Sequence, residues 1–108
     1  MIKVTVTRSR RGDIVALKVS NHGAPLVCAA VSALVINAVN SLKTLTEENF
    51  SCEYVEEGGL LEVIFQGSHE SGLGRDARLL TASLMLGLRS VLEEYPSDIV
   101  IEDKETAL

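Results

Sequence analysis

The chain opens on a strict alternation, Ile2, Val4 and Val6 against Lys3, Thr5 and Thr7, the period-two signature of a half-buried strand over residues 2–8. Arg8-Ser9-Arg10-Arg11-Gly12-Asp13 is a polar, glycine-containing turn, and Ile14 to Val19 reads as the partner strand of a hairpin. The period then changes. Pro25 suits a first helical position, because its fixed φ matches the helix and the N–H it lacks has no intrahelical acceptor there. Positions 27, 31, 34, 38, 42 and 45 form an apolar stripe at helical spacing. Ile36 and several alanines widen that stripe, so the helix is expected to bury one side on its own sheet and to keep apolar surface for a second copy.

A second hairpin follows. Phe50, Cys52 and Tyr54 share one face, Glu56-Glu57-Gly58-Gly59 makes the turn, and Leu61, Val63 and Phe65 line the return strand. Gly67 to Gly74 reads as a loop. A second helix is expected from about Leu73 to Tyr95, with 73, 77, 80, 84, 88, 91 and 95 on one stripe and Pro96 as its stop. Asp98 to Glu102 is a short closing strand, and Asp103 to Leu108 is expected to fray. The order β-β-α-β-β-α-β predicts an α+β two-layer sandwich, two helices packed on a five-stranded mixed sheet, in one domain over residues 1–108.

Composition narrows the class. A hydrophobic fraction of 46% with 23% charged residues fits a globular chain. A net charge of −5 repels a phosphate backbone, so no direct nucleic-acid binding is expected. No apolar run is expected to reach the ~20 residues of a membrane span. The N-terminal segment lacks the apolar block and cleavage site of an export signal, so a cytoplasmic location is expected, where Cys28 and Cys52 stay reduced. His22, Cys28, Cys52 and His69 contain no close ligand pair, so neither a metal nor another cofactor is expected.

The chemistry concentrates in Ser20-Asn21-His22-Gly23-Ala24-Pro25-Leu26-Val27-Cys28. A thiol attacks only as thiolate. Bringing any cysteine from about 8.5 to about 6 takes roughly 3.4 kcal/mol, at 1.36 per unit. A helix N-terminus supplies up to about 2 kcal/mol. A cation must add the rest, and His22, in the turn before the helix, becomes one by taking the proton. Between Ile14 and Thr46 there is no Asp or Glu to oppose a thiolate. Taken alone, Cys28 also fits a packed core residue and His22 a turn residue. Ser32, one helical turn after Cys28, either supports the site or bonds back to the Cys28 carbonyl. Cys52 reads as core and His69 as solvent-facing. Arg8, Arg10 and Arg11 read as a solvated hairpin tip, with a contact to a partner or substrate as the alternative.

The residues His22, Ala24 and Cys28-Ala29-Ala30-Val31-Ser32-Ala33-Leu34, with Leu86-Gly87-Leu88-Arg89-Ser90-Val91-Leu92-Glu93-Glu94-Tyr95-Pro96 ending the second helix, resemble the bacterial ribosomal-processing cysteine proteases, the Prp family. The resemblance implies a homodimeric cytoplasmic cysteine endopeptidase. Its substrate would be a large-subunit ribosomal protein, the twenty-seventh of its series, whose short N-terminal extension, ending in apolar and aromatic residues, it removes. It also implies Cys28 as nucleophile and His22 as general base and later acid. The oxyanion would be held by backbone N–H groups around the helix start, that of Cys28 among the candidates. Three positions depart from the family pattern. Asn21 stands where a Gly usually precedes the His, the loop from His22 to Cys28 is short, and Pro25 replaces a frequent acidic residue. Two other readings stand beside this one: a non-catalytic dimeric ribosome-associated protein that retains the fold, and a redox-sensing thiol, which lacks a nearby resolving cysteine.

Overall fold

The computed structural model describes residues 1–55, 59–66 and 72–105. Five strands, β1 (Ile2–Arg8), β2 (Ile14–Ser20), β3 (Phe50–Val55), β4 (Leu60–Phe65) and β5 (Ile99–Glu105), form one sheet in the order β3-β4-β2-β1-β5. Pairing is antiparallel except between β1 and β5, which run parallel with Ile2 opposite Ile99. The sheet is therefore mixed, as the element order predicted. The alternation along β1 sorts its two faces: Ile2, Val4 and Val6 are buried in the core, while Lys3, Thr5 and Thr7 join Lys18, Glu62, Glu102 and Lys104 on a polar, open face. Both helices cover the apolar face.

Helix α1 (Pro25–Leu45) starts at the expected proline and buries Val27, Val31, Val35, Ala38, Val39 and Leu42. Two expected core positions differ. Leu45, in the last turn, is exposed, and the stripe drifts to Val35 and Val39 because a helix of 3.6 residues per turn does not keep to a fixed spacing of seven. Leu34 turns instead toward helix α2 (Arg75–Glu94) and lies over Gly87, where an added Cβ would come within 2.9 Å of its Cδ2. The missing side chain at 87 thus lets the two helices approach. The segment Pro25–Leu45, whose single charged residue is Lys43, is also as long and apolar as a membrane span, against the expectation that none exists. In this fold one face of it is core packing.

Helix α2 begins two residues later than the periodicity suggested. The amide of Leu73 donates to Asp13 Oδ2 at 3.0 Å and that of Gly74 to Glu48 Oε1 at 2.9 Å, so both precede the helix. Strand β5 runs three residues beyond the expected Glu102. Asp103 is gripped by Arg8, Nε to Oδ1 at 2.8 Å, and by Arg89, Nη2 to Oδ2 at 3.1 Å. The anticipated frayed tail is therefore ordered through Glu105, and residues 106–108 lie outside the described residues. Arg8 is correspondingly the last residue of β1 and not part of a solvated tip, its Nη1 also donating to the Gly12 carbonyl at 2.9 Å.

Asp13 locks the far end of the sheet to α2. Its buried carboxylate accepts the Leu73 amide and the Arg78 guanidinium, Nε to Oδ1 at 2.9 Å. Burial works against its charge, but the Leu73 amide, Arg78 and Arg11 outweigh it and hold the carboxyl below its ordinary value of 3.8. A lowered folded-state value means that the stabilisation is complete above the unfolded value and disappears as pH falls through the folded one. Asp13→Ala is expected to lower the unfolding free energy at neutral pH by about 1–3 kcal/mol, since it orphans the Leu73 amide. Urea titrations should show that difference shrinking as pH falls below about 4.

Candidate active site

The site forms where β2 ends and α1 begins. Asn21 takes a left-handed backbone, φ 69°, which Asn tolerates better than most residues. Asn21 can therefore occupy the position that a glycine takes in the family pattern. The reversal returns the chain toward the helix, and it is braced from three sides. The Met1 ammonium donates to the His22 carbonyl at 3.1 Å. The Ile2 amide donates to the Asp98 carbonyl at 3.0 Å. Gly23 sits so close to both that an added Cβ would meet Ile2 Cγ1 at 3.2 Å and the Asp98 carbonyl oxygen at 3.4 Å.

That brace sets the sulfur. The Gly23 amide donates to Cys28 Sγ at 3.3 Å, and the thiol can donate to the Gly23 carbonyl at 3.5 Å. A protonated sulfur thus has an acceptor and a thiolate a donor, without any chain movement. The Cys28 amide itself donates to the Ala24 carbonyl at 2.9 Å. It closes the first helical hydrogen bond and is not free for an oxyanion, which corrects the sequence-based expectation. Pro25 has no N–H, so the amides of Leu26 and Val27 are the donors that the first turn leaves without an intrahelical partner. The first turn contains no acidic residue.

His22, Cys28 and Ser32 share the wall of one pocket of about 170 Å³. Its other walls include Val31, Val35, Leu61 and Tyr54, so it is an apolar socket beside a thiol. His22 and the sulfur are brought together on that wall but are not hydrogen-bonded to each other. The imidazole instead packs on Gly59, where a Cβ would lie 2.8 Å from its Cε1 and 3.0 Å from Nε2. Ser32 is exposed, and among the described residues its hydroxyl does not make the bond back into the helix that Ser90 makes to the Leu86 carbonyl. Cys52 packs against the core, and burial pushes its thiol up, opposed by Lys43. His69 lies outside the described residues. Among the described residues no group of three or more His, Cys, Asp or Glu is placed to hold a metal.

Two residues of the site escaped sequence reasoning. Tyr54 alternates with Phe50 and Cys52 and so resembles a core residue, yet it is 62% exposed and lines the pocket. Gly59 looked like turn chemistry alone. Its positive φ of 59° is indeed a turn requirement, but the absence of a side chain also makes room for the imidazole.

Comparison with known proteins settles the class. The family model for cysteine protease Prp matches residues 1–100. The chain belongs to the Prp cysteine protease family. The ribosomal processing cysteine protease Prp of Bacillus subtilis is 28% identical over 105 residues, covering 92% of this chain and 94% of that protein. The Prp of Staphylococcus aureus is 26% identical over 110 residues, with 96% and 100% covered. The crystal structure of the essential S. aureus Prp with a covalently linked product peptide superposes with a TM-score of 0.86 at 26% identity, covering 96% of this chain and 100% of that one. Membership in Prp makes the chain a cysteine protease, and the scaffold and redox-sensor readings lose their ground.

Gly59→Ala should displace the His22 ring and strain a left-handed backbone, costing about 1–2 kcal/mol of stability. The His22 ring resonances should shift in NMR spectra while the core methyl resonances of Val4 and Val6 stay in place.

Proposed function

We propose that this Prp protein, acting as one unit over residues 1–108, removes a short N-terminal extension from a large-subunit ribosomal protein, the twenty-seventh of its series, during ribosome maturation. The observation that carries the reading is the shared pocket. A thiol, an imidazole and an apolar socket converge at a helix start, and the relatives bear the name ribosomal processing cysteine protease. Val31, Val35, Leu61 and Tyr54 suit the apolar and aromatic residues at which such an extension ends.

Cys28 is the nucleophile and His22 the general base. His22 takes the Sγ proton, and the thiolate attacks the scissile carbonyl carbon. The Leu26 and Val27 amides are the available donors for the resulting oxyanion. Collapse of the tetrahedral species breaks the C–N bond, and the imidazolium returns its proton to the leaving amine. Water, deprotonated by His22, then hydrolyses the thioester and frees Cys28. With no bond linking the ring to the sulfur in the free protein, a peptide seated in the socket has to bring the two together. Catalytic hydrogen bonds are often long before substrate binds. Ser32, one turn on, supports the proton path from the pocket wall.

The protein acts in the cytoplasm and as a homodimer, with neither metal nor nucleic acid required. The exposed apolar residues of α1, Leu26 at 66% and Ile36 at 46% exposure beside Ala29 and Ala33, offer the surface for a second copy.

Incubation with the same organism's ribosomal protein should shorten it to one new N-terminus by intact-mass analysis. Cys28→Ala should abolish this, and His22→Ala should lower kcat/KM by about 10²- to 10⁴-fold. An unchanged substrate mass with the unsubstituted protein would refute the assignment. Sedimentation should give a dimer mass that Leu26→Asp with Ile36→Asp reduces to a monomer.

A further inference from the structure

A second groove, of about 580 Å³, lies at the opposite end of the sheet from Cys28. Strand β1 connects the two: Ile2 lines the catalytic pocket and Arg8 the groove. At about 3.3 Å per residue the separation is about 20 Å, so the groove is not part of the catalytic socket.

Arg8, Arg11, Arg78 and Arg89 all line it, and no lysine does. Among the described residues, Asp13 and Asp103 offset them, through the Arg78–Asp13, Arg8–Asp103 and Arg89–Asp103 pairs. Among the described residues positive charge is left over, in a chain whose formal net charge is −5. The arginines are not equivalent. Arg8 uses Nε, Nη1 and Nη2 internally. Arg89 gives only Nη2 to Asp103, and Arg78 leaves Nη1 unengaged among the described residues. Arg11 makes no ion pair among the described residues. Guanidinium forks match carboxylates in pairs, as Arg78 does with Asp13 and Arg8 with Asp103.

The floor between them is apolar. Ile14, Leu73 and Met85 form it, and Leu86 stands on the rim at 71% exposure. Leu86 extends that apolar floor to the edge of the groove. The combination excludes an RNA strand on two grounds. None of Phe50, Tyr54, Phe65 and Tyr95 lines the groove to stack a base, and the chain's overall charge opposes a long phosphate backbone.

We infer that this groove is a docking site for an acidic peptide segment of a partner protein, one apolar side chain seated on Met85 and Leu86 and its carboxylates held by Arg11, Arg78 and Arg89. The site acts independently of the thiol. It selects a partner of opposite charge to the basic substrate expected of a ribosomal-protein protease.

Fluorescence anisotropy with the full chain and a labelled decapeptide of Asp and Glu around a central Leu tests this. The peptide should bind, and its affinity should fall about tenfold with Arg11→Glu and also with rising salt. Among the described residues Arg11 makes no ion pair, and Leu86 is largely exposed, so Arg11→Glu and Leu86→Asp should both fold, Arg11→Glu with less support for the Asp13 carboxylate. Leu86→Asp should weaken binding as well, and Cys28→Ala should leave it unchanged. The inference is overturned if the peptide does not bind, if neither variant alters its affinity, if a Lys-substituted peptide binds equally, or if a ten-nucleotide poly-uridylate binds more tightly.

Discussion

The Gly23 amide and the Cys28 sulfur meet because the chain reverses at Asn21, and most of the site follows from that one contact. A strand leaving the sheet would ordinarily carry its next residues away from the helix that follows. Here a left-handed residue, followed by a glycine pressed between Ile2 and the Asp98 carbonyl, returns the backbone over the helix start. The sulfur is thereby held by a backbone donor fixed in the fold and not by a mobile side chain, so its surroundings are prepared before any substrate arrives. Pro25 serves the same end. It starts the helix without adding a donor, and the Cys28 amide then closes the first turn.

The imidazole is held differently. It rests on Gly59, at the tip of the other hairpin, so the two members of the proposed dyad sit on separate supports: the sulfur on the β2–α1 junction, the ring against the β3–β4 turn. Strands β2 and β4 are hydrogen-bonded neighbours from Ala16–Ile64 to Val19–Leu61, which fixes one support relative to the other. In the proposed mechanism, substrate binding between them would reorient the His22 side chain, and rotamers exchange far faster than typical turnover.

How much of this was legible in the sequence depends on whether a signal was local. Element types followed from periodicity, because alternation at Ile2–Val6 and helical spacing from Val27 record directly which face is buried. His22 and Cys28 were legible because chemistry-bearing residues at a helix start make a local pattern, and Asn21 because left-handed backbone restricts residue choice. The Asp13–Arg78 lock was not legible: its partners lie 65 positions apart, and nothing near either one signals the other. The same holds for Asp103, whose grip by Arg8 and Arg89 turned an anticipated tail into strand. Tyr54 misled for a different reason. Alternation assigns a face but not whether that face is covered, and at the end of edge strand β3 the cover gives way to the pocket.

The placement of β1 has a consequence for how the molecule comes into being. Made first, it stands in the finished sheet beside β5, made last, with Ile2 opposite Ile99. The carbonyl of Asp98, just ahead of β5, completes the brace around Gly23. A chain made from its N-terminus therefore holds Gly23 and Cys28 before the Asp98 side of that brace exists, and the turn that carries the sulfur is enclosed by strands from both ends of the fold.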